Sequence, residues 1–257
     1  MSKELQAFIS RFDFNQNLIN HQGVEREYFL LDENSIPTPR SSDFLNKIKD
    51  NAWTYELSAC QVEHRTSPHK EILDLKNDLD IAQKQGKRIA CEQGMELRAI
   101  EVADKNMPLD IYPHERYLKI VPNVSKQILS AACRVTGTHI HVGMPSIETA
   151  IEVHNTLIDC LDEFILMGDH SNGERIRLYK MMAKNHTPLK YESVDHFYEV
   201  ACTQGFVDNP KDCWHLIRIS YHGTVELRMF GVTENTEEII SWCEHVRSYI
   251  DTYFMTV

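Results

Sequence analysis

Apolar residues recur every three or four positions in several segments of the chain, which is the spacing of an amphipathic α-helix. The pattern is strong in residues 146–168, where Ser146 stands at the N-cap position before the apolar stripe. Ser171 and Glu174 have the spacing of a capping box. These signals predict helices over residues 3–17, 71–95, 146–168 and 172–183, and a last helix that begins near Asn235 and Glu238.

Shorter segments between these helices have the length and the residue types of β-strands. The predicted strands are residues 23–31, 59–66, 138–144 and 224–230. Residues 102–125 carry Pro108, Pro113 and Pro122 and are predicted to form a loop. Strands and helices alternate along the chain, and no linker divides it. We therefore expect a single domain over residues 1–257 of the α+β class, with its strands in one sheet and its helices on the outer face.

The composition narrows the classes of partner. The chain of 257 residues carries a formal net charge of −11. An acidic protein lacks the basic surface that attracts nucleic acids and anionic membranes, so we expect neither as a partner. The N-terminus has no apolar signal-peptide core, and no segment reaches the roughly 18 apolar residues of a membrane span. The seven cysteines are scattered without a CxxC pair, which is typical of free thiols. These features predict a cytoplasmic protein.

Each predicted strand carries two polar residues at positions i and i+2, which places them on the same face. The pairs are Glu25 and Glu27, Gln61 and Glu63, His139 and His141, and Glu226 and Arg228. The polar outer face of a half-exposed antiparallel sheet would explain any one pair. A solvated face usually carries Lys, Thr, Ser and Gln, however, whereas these strands carry mainly Glu, His and Arg. The whole set therefore favours a binding site over a solvated surface.

The residue types in this set indicate which ligand it would bind. Carboxylates that face one another raise each other's pKa values, so they tend to bind protons or cations. Oxygen ligands with one or two imidazoles suit Mg²⁺ or Mn²⁺ better than Zn²⁺. An arginine beside them favours a phosphate. Together the four pairs predict a site for a metal-bound nucleotide.

Several segments resemble, in the same order along the chain, the active-site strands of the glutamate–cysteine ligases, and in particular of their carboxylate–amine ligase branch. Gly23–Glu27 is similar to the opening strand of the family, and Trp53–Pro68 is similar to its second acidic strand. Cys133–Pro145 resembles the histidine strand of the branch, and Tyr221–Arg228 resembles the late Glu-x-Arg strand. The Arg-Tyr pair at positions 116 and 117 also fits this branch.

This resemblance implies a fold related to glutamine synthetase, in which a curved, largely antiparallel sheet forms a funnel-shaped active site with helices outside it. It implies an ATP-dependent ligase that activates the γ-carboxylate of a glutamate-like substrate as an acyl phosphate and couples it to an amino acid or amine. Because relatives of glutamine synthetase often assemble, a homo-oligomer is compatible with it. The implied ligands of Mg²⁺ or Mn²⁺ are Glu25, Glu27, Glu63, His139 and Glu226.

The resemblance also implies roles for single side chains. Arg228 is expected to contact the transferred phosphate, and Glu27 and Glu63 are expected to act with it in catalysis. His141 would be either a further metal ligand or a contact to the nucleotide. Gln61 is placed in the same cofactor site, in contact with substrate or with a metal-bound water.

Two other functions stay open. His-x-His with scattered carboxylates also occurs in metal-dependent hydrolases, although these usually need three firm nitrogen or sulfur ligands. The chain is shorter than typical members of the family, and residues 168–214 match it poorly, so a non-catalytic nucleotide-binding relative is the second alternative. Arg175 and Arg177, near the start of a predicted helix, could reach a phosphate or a carboxylate, but we favour a solvated helix face for both.

Overall fold

The centre of the protein is one sheet of seven strands. The structure is a computed structural model that describes residues 2–183 and 185–254, with side chains described as far as residue 251. All pairings in the sheet are antiparallel, in the order β2-β3-β1-β5-β7-β6, and β4 pairs with the end of β1. The strands are β1 (Gln22–Leu31), β2 (Trp53–Tyr55), β3 (Gln61–Arg65), β4 (Glu96–Arg98), β5 (Thr138–Gly143), β6 (Ile217–Ser220) and β7 (Thr224–Phe230).

The described residues form ten α-helices and three short 3₁₀ segments. The helices are α1 (Lys3–Ile9), α2 (Ser41–Ile48), α3 (Ile72–Glu92), α4 (Glu115–Ile120), α5 (Lys126–Arg134), α6 (Ile147–Ile158), α7 (Leu161–Met167), α8 (Glu174–Met182), α9 (Val194–Gln204) and α10 (Thr236–Phe254). Helices α6 and α7 contact β6 and β7, and α10 contacts both α3 and α6. None of the helices in this described part is long and apolar enough to cross a bilayer.

The largest buried cluster lies between the apolar side of the sheet and these helices. It contains Ile140 and Val142 of β5 and Val225 and Leu227 of β7, all completely buried. Residues two apart in a strand point the same way, so this burial turns the alternate residues of β5 and β7 toward the opposite side. The expected fold, a largely antiparallel sheet with helices on its outer face, is confirmed.

Each of the four predicted strands is present in the sheet, but three strands were missed. β2 and β4 have three residues each and β6 has four, which is too short for an alternating pattern to stand out. The predicted helix over residues 71–95 corresponds to α3. The predicted loop over residues 102–125 contains a short helix, α4, whose first turn is capped by the His114 side chain.

Two of the predicted helices end early or are divided in the structure. The helix predicted over residues 3–17 ends at Ile9, because the chain then turns toward the sheet, where the amide of Asp13 donates to the carbonyl of Tyr221. The helix predicted over residues 146–168 is two helices, α6, which contacts β6 and β7, and α7, which contacts β7. The apolar stripe continues through the break, so periodicity alone did not reveal it.

The predicted helix starts are confirmed in part. The Ser146 hydroxyl caps α6 by accepting the amide hydrogen of Thr149. Helix α8 begins later than predicted, at Glu174, and the residue before it is Gly173 with a φ of 78°. Ser171 therefore forms no capping box, and its hydroxyl accepts instead from the amide of Arg175.

Candidate active site

The register of the sheet brings the predicted site residues together on one face. Glu25 on β1 is paired with His139 on β5, and Glu27 is paired with Glu63 on β3. His141 on β5 is paired with Glu226 on β7. Directly paired residues project to the same face of a sheet with their side chains in contact range. The four strands therefore gather the predicted carboxylates and imidazoles into one cluster.

Within this cluster, three overlapping groups of side chains could each hold a metal ion. In each group, one ligand atom per residue lies within 4.8 Å of the others. The groups are Glu25, His141 and Glu226; Glu25, Glu63 and His139; and Glu27, Glu56 and Glu63. All five predicted metal ligands belong to at least one group, and so does His141. Each group contains at least two carboxylates and at most one imidazole, a donor set that suits Mg²⁺ or Mn²⁺.

Glu56 was missed as a site residue. It follows the three-residue strand β2 directly and has the same orientation as Thr54, which is paired with Glu63. The sequence signal was therefore the Thr-x-Glu spacing of residues 54–56, inside a strand too short to be recognised.

The hydrogen bonds of the two histidines show what the cluster lacks. His139 donates from Nδ1 to Glu25 at 2.9 Å, and Nδ1 of His141 is hydrogen-bonded to the hydroxyl of Thr224 at 2.8 Å. Nε2 of His141 is buried without a hydrogen-bond partner among the described residues. It lies 3.6 Å from an oxygen of Glu25 and 4.0 Å from one of Glu226. A nitrogen without a partner beside two carboxylates is the arrangement that a cation between them would complete.

The carboxylates differ in protonation. Burial alone would raise the pKa of Glu25, but the charge of His141 and the hydrogen bond from His139 outweigh it and hold that pKa well below its ordinary value. Burial raises the pKa of Glu27 to about 7. Burial and the charges of Glu25 and Glu56 raise the pKa of Glu63 well above the usual range. Without a cation the cluster therefore retains protons near neutral pH, and a bound cation would displace them.

Glu226 is the shared ion-pair partner of two arginines, Arg218 and Arg228. Its side chain is completely buried, and it accepts from Arg218 through Nε at 2.7 Å and Nη2 at 3.0 Å, and also from Nη1 of Arg228. Burial opposes the charge of Glu226, but the two guanidinium groups hold its pKa well below the ordinary value. Arg228 also donates from Nε to the hydroxyl of Tyr179 at 3.3 Å. Arg218 was missed because its strand, β6, was not recognised.

Gln61 lies on the same strand as Glu63, but its amide group has a structural role. Its Nε2 donates to the carbonyls of Cys133 at 3.1 Å and of Val135 at 2.9 Å, which ties β3 to the segment before β5. The predicted contact with substrate, nucleotide or metal-bound water stays a prediction, and it is limited to the carbonyl oxygen of Gln61.

Two cavities meet at the cluster. The first has a volume of about 360 Å³ and contains the metal-binding groups together with Arg228, Arg116 and Tyr117. The second has a volume of about 370 Å³ and lies against Gly23 and other residues at the ends of β1, β5 and β7. Both cavities are lined by Glu25, Arg65, His141 and His222. The side chains from α4 at the first cavity show that part of the predicted loop borders the site.

Comparison with known proteins identifies the family. Residues 21–161 match the model of glutamate–cysteine ligase family 2, GCS2. The match covers more than half of the chain. The chain belongs to this family. β1, β3 and β5 lie inside the matched residues, whereas Glu226 and Arg228 lie outside them.

Relatives agree with membership of GCS2, and solved structures are similar in fold. The glutamate–cysteine ligase of Natronomonas pharaonis is 22% identical over 251 residues, which cover 89% of this chain and 68% of the relative. A bifunctional glutathione synthetase from Pasteurella multocida is similar with a TM-score of 0.57 and 13% identity, over 90% of this chain and 38% of that one. Apo GmaS without ligand is similar with a TM-score of 0.54 and 14% identity, over 97% of this chain and 57% of that one. At these identities the solved structures support the fold alone.

Proposed function

We propose that this member of GCS2 is a ligase that uses ATP and Mg²⁺ or Mn²⁺ to join a carboxylate to an amine. The observation that carries the proposal is the set of three adjacent metal-binding groups on one sheet face, directly beside Arg228. Phosphoryl transfer to a carboxylate brings two anions together, so a site for it must neutralise negative charge. The family membership supports the same conclusion.

The cluster meets the chemical requirements of the proposed metal ions. Glu25, Glu27, Glu63, His139 and Glu226 would hold them, and Glu56 and His141 are further ligands that the geometry adds. Nε2 of His141 has no hydrogen-bond partner in the described protein and lies beside two carboxylates, which supports a cation between Glu25 and Glu226. Bound metal ions would neutralise the negative charge of the phosphate oxygens and would orient the transferred group.

The two cavities suggest where the substrates lie. The first cavity is rich in guanidinium groups, among them Arg116 and Arg228, which are suited to recognise carboxylates and phosphate. The second cavity combines Leu18 with the backbone of Gly23, Gly143 and Gly223, which suits a nucleoside. We therefore place the carboxylate and the amine in the first cavity and the nucleoside in the second. The phosphates would then reach the junction at Glu25 and His141.

The proposed reaction has two steps. An oxygen of the carboxylate attacks the γ-phosphorus of ATP, the bond from that phosphorus to the bridging oxygen breaks, and ADP leaves. The amine nitrogen then attacks the acyl carbon, the bond to the phosphate oxygen breaks, and the amide, inorganic phosphate and one proton result.

Residues of the chain assist the transfer. Nε and Nη1 of Arg228 hold its guanidinium against Tyr179 and Glu226, and the remaining nitrogen, Nη2, is the group that we expect to donate to the transferred phosphate. Tyr117 and Ile120 of α4 lie at the same cavity and would limit the access of water to the acyl phosphate.

A glutamate-like carboxylate is the first substrate that we propose, because the related protein of Natronomonas pharaonis is named a glutamate–cysteine ligase. The chain spans 38% and 57% of the two solved structures, so the activity of those longer proteins is not transferred to it as a whole. The amine is therefore proposed as a class, an amino acid or a small amine, and not as cysteine in particular.

The ligand sets favour this ligase over the metal-dependent hydrolase. A zinc hydrolase usually needs three firm protein ligands, dominated by nitrogen or sulfur, and an open water position. None of the three groups in the described residues contains more than one imidazole. The non-catalytic alternative is disfavoured because the ligand groups lie in contact range with Arg228 beside them.

The test is ADP release that depends on a carboxylate and an amine, measured with purified protein, ATP, Mg²⁺, glutamate and a panel of amino acids and amines. We expect Glu27→Gln and Glu226→Gln to lower this activity by at least about a hundredfold, because each removes a charged ligand from a metal group. Glu152→Gln, an exposed change on α6, is the matched control and should keep the wild-type rate. Near-normal activity of both site variants would contradict the proposal.

A further inference from the structure

Arg175 is a buried arginine that the proposed reaction leaves without a role. Only 4% of its surface is exposed, although it lies on the first turn of α8. All three guanidinium nitrogens donate to backbone carbonyls: Nε to Thr136 at 2.6 Å, Nη1 to Met229 at 2.9 Å and Nη2 to Arg228 at 3.1 Å. The expectation of a solvated helix face is therefore wrong for Arg175, whereas Arg177 has a largely exposed side chain.

Two of these carbonyls, those of Arg228 and Met229, lie at an irregularity in the sheet. Thr138 of β5 is paired with Phe230 of β7, but Ile140 is paired with Leu227. Two residues of β7, Arg228 and Met229, therefore face one residue of β5, which is a β-bulge. A bulge disrupts the ladder locally and changes the direction of the side chains beside it. Arg175 provides hydrogen-bond donors to both carbonyls of this bulge.

The same guanidinium is packed against the segment that holds Glu27. A Cβ atom on Gly137 would lie 2.0 Å from Nη2 of Arg175, so only glycine leaves room for this contact. The amide of Gly137 donates to Glu27 at 2.6 Å. Arg175 thus connects the start of β5 to the bulge of β7, between a proposed metal ligand and the proposed phosphate-binding arginine.

We infer that Arg175 is a positioning residue that fixes the β7 bulge and thereby aims Arg228 at the transferred phosphate. This inference rests on the proposed function. Lysine cannot replace Arg175 in this role, because a single ammonium nitrogen cannot reach three carbonyls that are arranged around a planar fork. Loss of the fork would leave the carbonyls of Arg228 and Met229 without these donors, so the backbone that carries the Arg228 side chain would lose its fixed position.

A double-mutant cycle distinguishes positioning from general structural support. The four proteins are the wild type, Arg175→Lys, Arg228→Lys and the double variant, and the measured quantity is kcat for ADP release. We expect each single substitution to lower kcat at least tenfold. In the Arg228→Lys background, Arg175→Lys should lower kcat by less than twofold, because the group that it positions is already absent. Arg177→Lys, on the same helix, should stay within twofold of the wild type.

The controls separate the possible failures. Thermal unfolding of each variant reports on folding, and Arg175→Gln, whose shorter side chain has a single donor nitrogen, should lower kcat at least as much as Arg175→Lys does. Multiplicative losses in the double variant would show general support and overturn the inference, as would wild-type kcat in folded Arg175→Lys. Unfolding of both Arg175 variants would also overturn it. A wild-type protein without ADP release would contradict the proposed function itself and is recognised before any variant is compared.

Discussion

At the scale of single residues, the partners of each buried group decide its charge in the candidate active site. Glu226 and Glu63 are both carboxylates of the same sheet face, yet their pKa values shift in opposite directions. Glu226 has two guanidinium partners, whereas Glu63 is surrounded mainly by other carboxylates. Burial penalises the charge of both groups, so the neighbours determine the outcome.

Arg218 is predicted to be essential for the buried charge of Glu226. Replacing Arg218 with Met removes two of the hydrogen bonds to a completely buried carboxylate and leaves Arg228 as its remaining guanidinium partner. We expect the free energy of unfolding to fall by about 3 kcal/mol, as is typical when one member of a buried ion pair is removed. Urea unfolding in the presence of EDTA measures this. The exposed change Arg177→Met should have little effect, and equal stabilities of the two variants would refute the assignment.

Gly23 offers a direct test of the nucleoside position. A Cβ atom there would lie 3.8 Å from the Thr66 hydroxyl and 4.0 Å from Pro68, which are ordinary contacts. Gly23→Val should therefore fold normally while it reduces the space of the second cavity. We expect KM for ATP to rise roughly tenfold, with KM for the carboxylate unchanged. If steady-state kinetics show the opposite selectivity, the nucleoside lies in the first cavity.

At the scale of secondary-structure elements, strand pairing converts separate i, i+2 pairs into one site. A strand by itself only places two side chains on the same face. The antiparallel register puts Glu25 beside His139 and Glu27 beside Glu63, although the two partners in each pair are far apart in sequence. Arg228 lies on the same side as Glu226, two positions after it in β7, and donates to it.

The N-cap of α6 is a local signal whose energetic effect can be measured. The Ser146 hydroxyl satisfies the amide of Thr149, which otherwise lacks a partner within the helix. Ser146→Ala should lower the free energy of unfolding by about 1 kcal/mol, whereas Ser146→Asp retains a capping oxygen and should be close to the wild type. Chemical denaturation of the three proteins compares them. Equal stability of the alanine variant and the wild type would show that the cap contributes nothing.

At the scale of the whole molecule, the sheet divides the protein into a site face and a core face. The core face is closed by α6, α7 and α10 and contains most of the buried apolar side chains. The site face has two cavities that meet at Glu25 and His141. Helices that pack on one face therefore leave the other face open for two substrates.

A buried histidine on the core face, His154, predicts how the free energy of unfolding depends on pH. His154 is completely buried and stacked on Tyr191, and burial lowers its pKa to about 4. An unfolded histidine has a pKa of about 6.5, so the unfolded state takes up the proton first as the pH falls. The stability that the neutral imidazole contributes is present above about pH 6.5 and is lost between about pH 6.5 and 4, by about 3 kcal/mol.

Replacement of His154 by Gln should remove this proton uptake. Urea unfolding at a series of pH values from about 4.5 to 7.5 measures the proton uptake on unfolding. The two proteins should differ in this uptake by about one proton per molecule. We expect the free energy of unfolding to decline less steeply for His154→Gln than for the wild type as the solution becomes acidic. Parallel curves across this range would show that His154 does not titrate as described.

Sequence patterns were sufficient for some features of the protein and insufficient for others. The alternation of polar and apolar residues predicted the strands that carry Glu25, Glu63, His139 and Glu226, because alternation reflects which face is buried. Helix caps such as Ser146 were also predictable, since a cap is a local hydrogen bond. Glu56 and Arg218 were missed because strands of three or four residues carry too little pattern.

What the sequence alone determined was which residues share a face within each strand, the acidic character of the chain and the resemblance to a ligase family. Only the tertiary structure decided which faces meet, that Gln61 holds two backbone carbonyls and that Arg175 lies under the β7 bulge. The physical reason is that periodicity records burial within one element, whereas pairing, bulges and cavities arise from contacts between residues that are far apart along the chain.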